Sequence, residues 1–144
     1  MGPEIVSMKI AIEQPPMFER IKEVFPMAVQ PGVLFCWGDT IYNPSGIEIP
    51  DYLIAHETVH RKQQEIAYRS IEDWWHRYLT DPHFRFEQEL PAHIKEYQQF
   101  CVGRPRNLRR QYLRVVAERL SGPLYKHMVG YVEAKTLIKD GAHV

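Results

Sequence analysis

Five consecutive residues, His56-Glu57-Thr58-Val59-His60, combine two imidazoles and a carboxylate at a spacing that suits a metal ion. On a helix, residues four apart share a face, so both imidazoles can reach one ion. Zinc favours imidazole ligands. Glu57 lies about 100° further around the helix, where it misses the metal but can take a proton from a water bound to it. The spacing therefore predicts two zinc ligands and a general base.

A zinc site of this kind needs a third protein ligand. Residues 61–67, which follow the motif, contain neither glycine nor histidine, so a third histidine directly downstream is absent. Two carboxylates remain as candidates, Glu87 and Glu89, and both follow a helix start at Asp81-Pro82. The residue types alone leave both open.

The motif followed by Glu89-x-x-Ala92 resembles the gluzincins, the HExxH peptidases whose third ligand is a downstream glutamate. In that family a small residue often follows the ligand glutamate by three positions, which Glu89 matches and Glu87 does not. Residues 75–97 also resemble small uncharacterised HExxH proteins of phages and bacteria. The resemblance implies one zinc ion held by His56, His60 and Glu89, with Glu57 as the catalytic base.

Two positions depart from the gluzincin pattern, and Pro91 bears on the helix that carries Glu89. Arg61 follows the motif where an uncharged residue is usual. Four residues after the ligand glutamate, several gluzincin groups carry an aspartate that orients a motif histidine, and His93 stands there instead. Pro91 would kink a helix from inside, or leave Glu89 outside a helix that it begins.

The elements that must position these residues form a small sheet followed by a helical body. Residues 33–37 and 40–43 flank Gly38-Asp39 as a predicted hairpin, and residues 47–49 are a candidate third strand. In gluzincins an edge strand beside the metal helix binds extended substrate, and Thr40-Ile41-Tyr42-Asn43 is the candidate for it. Helical patterns occupy residues 15–25, 50–68, 71–79, 82–100, 108–120 and 123–138. We therefore predict one α+β domain over residues 1–144, a minimal zincin-like domain built around the HExxH helix.

A peptidase also needs a donor for the developing oxyanion. The candidates are four side chains in the second half of the chain: Tyr97, Tyr125, His127 and Tyr131. Tyr125 follows the turn Ser121-Gly122-Pro123, which could direct it inward. The remaining histidines, His76, His83 and His143, have no partner at ligand spacing and are expected to be structural or exposed.

Composition limits the other functions. Lys plus Arg and Asp plus Glu number 18 each, so no net charge draws the chain to nucleic acid, and the arginines near residue 104 are expected to form a solvated surface. Cys36 and Cys101 are too few for a disulfide framework and are expected to be buried. No stretch resembles a membrane span or a signal peptide. We therefore expect a cytoplasmic or phage-associated protein that meets a peptide or protein substrate.

These features predict a zinc metallopeptidase in which Glu57 activates the attacking water. One alternative is a non-catalytic domain that uses zinc as a structural staple, or binds a partner, within a phage or bacterial assembly. Another is a zinc amidase acting on a non-peptide or cell-wall amide. A structural site has four protein ligands, whereas a catalytic site keeps one position open, and this difference separates the first alternative from the peptidase.

Overall fold

The computed structural model describes residues 7–66 and 70–143. The order of elements in these ranges is β1 (Lys9–Ala11), α1 (Phe18–Val24), β2 (Phe35–Trp37), β3 (Thr40–Tyr42), α2 (Asp51–Ile66), α3 (Ile71–Thr80), α4 (Pro82–Cys101), α5 (Arg106–Leu120) and α6 (Tyr131–Ala142). Two short 3-10 helices, Pro26–Val29 and Pro123–Tyr125, lie in the connections. A small N-terminal sheet followed by a helical body confirms the predicted α+β class. Residues 67 and 68, predicted to end the motif helix, lie outside the described residues.

The sheet is built on the predicted hairpin. Strands β2 and β3 pair antiparallel across a two-residue loop, with Gly38 at a φ of 61°, a conformation that glycine adopts without strain. The strand order is β1-β3-β2, so β3 is the central strand. The prediction that residues 40–43 form a free edge is therefore wrong, because β1 pairs in parallel with the outer side of β3.

The third strand is β1, and the candidate at residues 47–49 forms no strand. Asn43 holds this segment in a turn by donating its side-chain amide to the Ile47 carbonyl, 2.7 Å away. Pro50 then leads directly into α2, where the Leu53 amide donates to the Pro50 carbonyl. The segment therefore serves as a connection between the sheet and the motif helix.

Helix α4 is the central element of the helical body, and it packs against α2, α3, α5 and α6. Asp81 caps it by accepting hydrogen bonds from the amides of His83 and Phe84, and Pro82 occupies its first turn, as predicted. Pro91 lies inside the helix, which continues to Cys101. The proline removes one hydrogen bond but does not end the helix, so Glu89 is a helical residue.

The predicted helix over residues 123–138 is wrong in its first half. The chain forms a short 3-10 turn and then turns away, with Lys126 and His127 both at positive φ, before α6 begins after Gly130. Two residues in the left-handed conformation cannot belong to a right-handed helix. The break directs Tyr125 into the interior, where it is 2% exposed.

Two hydrophobic clusters form among the described buried residues. One contains the aromatic residues of α1, β2 and α3, and the other contains the apolar faces of α4, α5 and α6. Cys36 and Cys101 are buried and unpaired, as predicted. Among the described helices, none combines the length and apolar character needed to cross a bilayer.

Candidate metal centre

Helices α2 and α4 bring together the three predicted ligands. Glu89 Oε1 lies 3.1 Å from His56 Nε2 and 2.6 Å from His60 Nε2. The three donor atoms lie within 4.8 Å of one another, and all three residues are buried. Since His56 and His60 are one helical turn apart and Glu89 faces them from the packed helix, two elements are enough to build the group.

The donor set fits a zinc ion in type and size. Two imidazole nitrogens and one carboxylate oxygen are a common ligand set of catalytic zinc sites. Bonds of about 2.0–2.2 Å in a tetrahedron hold ligand atoms roughly 3.3–3.5 Å apart, so Glu89 Oε1 needs to withdraw by less than about 1 Å. A cavity of about 50 Å³ lies against His56, His60, Glu89 and Glu57 and gives room for that change.

The outward-facing nitrogens of both imidazoles have acceptors. Glu96 Oε1 lies 2.7 Å from His56 Nδ1, and Gln63 Oε1 lies 2.8 Å from His60 Nδ1. The amide nitrogen of Gln63 donates to the Gln88 carbonyl, so its oxygen faces the imidazole. With an acceptor at each Nδ1, that atom would keep its proton when a metal binds, and each Nε2 would then offer its lone pair to the ion.

The second oxygen of Glu89 accepts two hydrogen bonds. The hydroxyls of Tyr78 and Tyr125 donate to Oε2 over 2.7 and 3.0 Å. Arg85 holds the segments that carry both tyrosines, because its buried guanidinium donates to the Tyr78 carbonyl and to the Leu124 carbonyl. The two tyrosines thus fix the orientation of the carboxylate that would bind the metal, and Arg85 fixes the segments that carry the tyrosines.

The electrostatics of the group follow from buried opposite charges. Burial opposes the charged form of His56, but hydrogen bonds to Glu89 and Glu96 outweigh burial and raise its pKa well above the ordinary value. The pKa of His60 is raised as well. Burial lowers this pKa, but the charge of Glu89 outweighs burial. Burial would raise the pKa of Glu89, yet the two imidazoles hold it well below the usual range. The cluster therefore has the negative carboxylate that a cation would require.

Glu57 stands apart from this network. No hydrogen bond to its carboxylate is found among the described residues, although the side chain is 8% exposed and lines the cleft described below. Burial is the main cause that raises the pKa of this carboxyl. An unpaired carboxylate beside the metal position is free to exchange a proton with a molecule in the cleft.

A cleft of about 650 Å³ runs past His56, Glu57 and Glu89. Its lining includes residues of α1, α3 and the segment that leads into β2, as well as residues of α5 and the first turn of α2. β2 pairs with β3 alone among the described strands, and Phe35 at its start lines the cleft. The strand edge beside the metal helix is therefore β2, in place of the predicted residues 40–43.

The other predicted candidates lie elsewhere, apart from Tyr125. Glu87 is exposed on α4 and pairs with His83 over 2.6 Å, so it is not part of the group formed with His56 and His60. Tyr97 packs in the α4–α6 cluster, and His127 and Tyr131 are exposed. Of the four predicted oxyanion donors, the structure brings Tyr125 alone to Glu89.

His93, at the position of the expected aspartate, does not bond either motif histidine. Its Nε2 lies 3.3 Å from the Tyr125 hydroxyl, and its Nδ1 is 3.6 Å from Glu96 Oε1, beyond hydrogen-bond reach. Burial lowers the pKa of this imidazole, which favours its neutral form. His56, His93 and Glu96 form a second group of close donors, but His56 Nδ1 already faces Glu96 as the orienting contact of the first.

Sequence reasoning missed Glu96. It lies seven residues after Glu89, two helical turns on, and therefore on the same face of α4. Tyr112 and Arg119 of α5 both donate to Glu96 Oε2, the latter over 3.4 Å. The i, i+7 spacing from Glu89 was the signal available in the sequence. A carboxylate at this position makes the orienting contact to His56 that His93 does not make.

No protein-family model, curated protein sequence or solved structure matches this chain.

Proposed function

We propose that this protein is a zinc-dependent metallopeptidase of the gluzincin type. The observation that carries the proposal is the convergence of His56 Nε2, His60 Nε2 and Glu89 Oε1 beside a Glu57 carboxylate that makes no hydrogen bond to the described residues. His56, Glu57 and Glu89 line the cleft. A metal with a free carboxylate at its side and an open cleft in front is the arrangement that hydrolysis of an amide requires.

His56, His60 and Glu89 would hold the ion, and zinc when bound supplies Lewis acidity and lowers the pKa of water. Glu57 accepts the proton of the attacking water and delivers it to the leaving amine. Tyr125 borders the cleft beside Glu89 and is the proposed donor to the developing oxyanion. Tyr78 then continues to hold Glu89 Oε2.

The arrangement favours a catalytic site over a structural staple. A structural zinc site uses four protein ligands. In the described part of the chain, the group around His60 contains three donors, and His93 faces Tyr125 and Glu96 instead. The remaining side of the group borders the cleft, where a substrate amide has access. Hydrolysis of a cell-wall amide uses the same groups, so the assay includes peptidoglycan fragments as well as peptides.

The decisive experiment is the Glu57→Gln variant, assayed for zinc content and for cleavage of a quenched-fluorescent peptide library. We expect full zinc content and a loss of hydrolysis of about 100-fold or more, because general base catalysis contributes about 10²–10⁴-fold. Glu65→Gln is the matched control, since Glu65 is an exposed carboxylate on the same helix. Normal hydrolysis by Glu57→Gln would contradict the role of Glu57 as the general base. Absence of hydrolysis by the zinc-loaded parent protein would contradict the proposal that the protein is a peptidase.

A further inference from the structure

The cleft contains a single strongly cationic side chain. Arg119 of α5 is the one lysine or arginine among the described residues that line it. The mechanism proposed above gives this guanidinium no role. Its position at one end of a mostly apolar cleft is therefore unexplained by hydrolysis itself.

A continuous series of contacts gives the position of Arg119 relative to the metal group. The Tyr78 hydroxyl bonds Glu89 Oε2, and Glu89 Oε1 faces His56 Nε2. On the opposite side of the imidazole, His56 Nδ1 faces Glu96 Oε1, and Glu96 Oε2 faces Arg119. Tyr78 and Arg119 therefore lie at opposite ends of the row of site residues, with the metal group between them.

Most of the Arg119 guanidinium has no protein partner. Its side chain is 53% exposed, and among the described residues its one polar contact is Nη1 to Glu96 Oε2, at 3.4 Å. That carboxylate has closer partners, namely the Tyr112 hydroxyl and His56. A guanidinium has five N–H donors in a planar fork, so most of its capacity is available to a ligand in the cleft.

The Tyr78 end of the cleft has a different character. The rings of Phe25 and Trp75 contact the Tyr78 ring there. Further apolar residues that line the cleft are Ile21, Val33 and Phe35. A ligand that fills the whole cleft therefore meets an apolar surface on one side of the metal group and a cation on the other. A peptide with a large apolar side chain and a carboxylate matches both.

We propose that Arg119 binds a carboxylate of the peptide substrate, so that the enzyme selects peptides with an apolar side chain on one side of the scissile bond and a carboxylate on the other. The proposal rests on the function proposed above. A guanidinium pairs with a carboxylate through two parallel hydrogen bonds, which fixes orientation as well as affinity. The carboxylate belongs either to the substrate C-terminus or to an acidic side chain.

Peptide binding to the zinc-loaded Glu57→Gln protein tests this without turnover. The probes are four acetylated hexapeptides of alanine with two central leucines. The first pair has a free or an amidated C-terminus, and the second pair, both amidated, has glutamate or glutamine near that end. We expect the carboxylate member of one pair to bind at least about tenfold more tightly by calorimetry, since hydrogen bonds to charged groups are of that strength. The pair that discriminates identifies the source of the carboxylate.

Substitution of Arg119 in the same protein isolates its contribution. Arg119→Gln is expected to abolish the discrimination within the pair, and Arg119→Lys to restore part of it. Arg114→Gln is the matched control, because Arg114 is an exposed arginine of the same helix that does not line the cleft. Tyr112→Phe removes the other α5 partner of Glu96 and leaves the charge in place, so it should keep the discrimination.

The outcomes separate this proposal from the proposed function. Equal binding within both pairs, or a preference that survives Arg119→Gln, would overturn the role of Arg119 even if the parent protein hydrolyses peptides. If discrimination depends on Arg119 while the zinc-loaded parent cleaves none of the probes, the carboxylate site stands and the peptidase assignment fails. Failure of all four peptides to bind would overturn both the anchor and the substrate class.

Discussion

Glu96 Oε1 lies 2.7 Å from Nδ1 of His56, on the side of the imidazole opposite Glu89. The two carboxylates are seven residues apart on α4, so one helix face supplies both the metal-side contact and the orienting contact of a single histidine. Glu96 is 1% exposed, and burial opposes its charge, but the hydrogen bond from His56 and the nearby His93 imidazole keep the pKa of its carboxyl below the usual range. Glu96 is therefore a charged carboxylate beside the His56 imidazole.

Loss of that contact should weaken the metal site. We expect Glu96→Gln to lower zinc affinity by about 10–100-fold, because partners that orient a metal-bound histidine contribute about that much. Competition with a fluorescent zinc chelator measures the change. Glu87→Gln is the control on the same helix, since Glu87 is exposed and pairs with His83. An unchanged zinc affinity in Glu96→Gln would contradict the assigned role.

Substitution of the two tyrosines that bond Glu89 Oε2 should affect different properties, kcat for Tyr125 and zinc affinity for Tyr78. We expect Tyr125→Phe to lower kcat by about 100-fold with zinc content retained, which is the usual scale for loss of one oxyanion donor. Tyr78→Phe should instead lower zinc affinity, because its hydroxyl makes the shorter bond to the ligand carboxylate. Tyr131→Phe, at an exposed position, is the control for both. A normal kcat in Tyr125→Phe would exclude its role as donor.

Much of the local structure could be predicted because its causes are local. The start of α4 follows from Asp81 and Pro82, whose effects act within one turn, and the β2–β3 hairpin follows from Gly38. The motif spacing likewise determines that His56 and His60 share a face. Each of these features depends on residues close together in the chain.

The missed features depend on distant contacts. Strand β1 has three residues, two of them exposed, and is a strand because β3 provides a partner some 30 positions away. Lys126 and His127 adopt positive φ, a conformation that their residue types do not predict, although Gly130 marks the start of α6. Glutamate is a residue type usually found on the surface, and Glu96 is buried because α5 and His56 surround it.

The buried guanidinium of Arg85 should matter for stability. It donates to three carbonyl oxygens, of Tyr78, Leu79 and Leu124, and stacks over the Phe25 ring. We expect Arg85→Met to lower the free energy of unfolding by about 3 kcal/mol or more, because the substitution leaves buried carbonyls without donors. Urea denaturation measures the loss, with Arg110→Met, at an exposed position, as control. A change below about 1 kcal/mol, the usual scale of a surface substitution, would contradict this structural role.

His56, His60 and Glu89 are proposed to hold one zinc ion between their closely spaced donor atoms. The most direct measurement is the zinc content of the purified protein, by mass spectrometry of the metal, for the parent chain and for Glu89→Ala and Glu87→Ala. We predict one ion per chain in the parent and in Glu87→Ala, and loss of the ion in Glu89→Ala after dialysis against a weak chelator. Full zinc content in Glu89→Ala, or a parent that binds no zinc, would exclude this metal site.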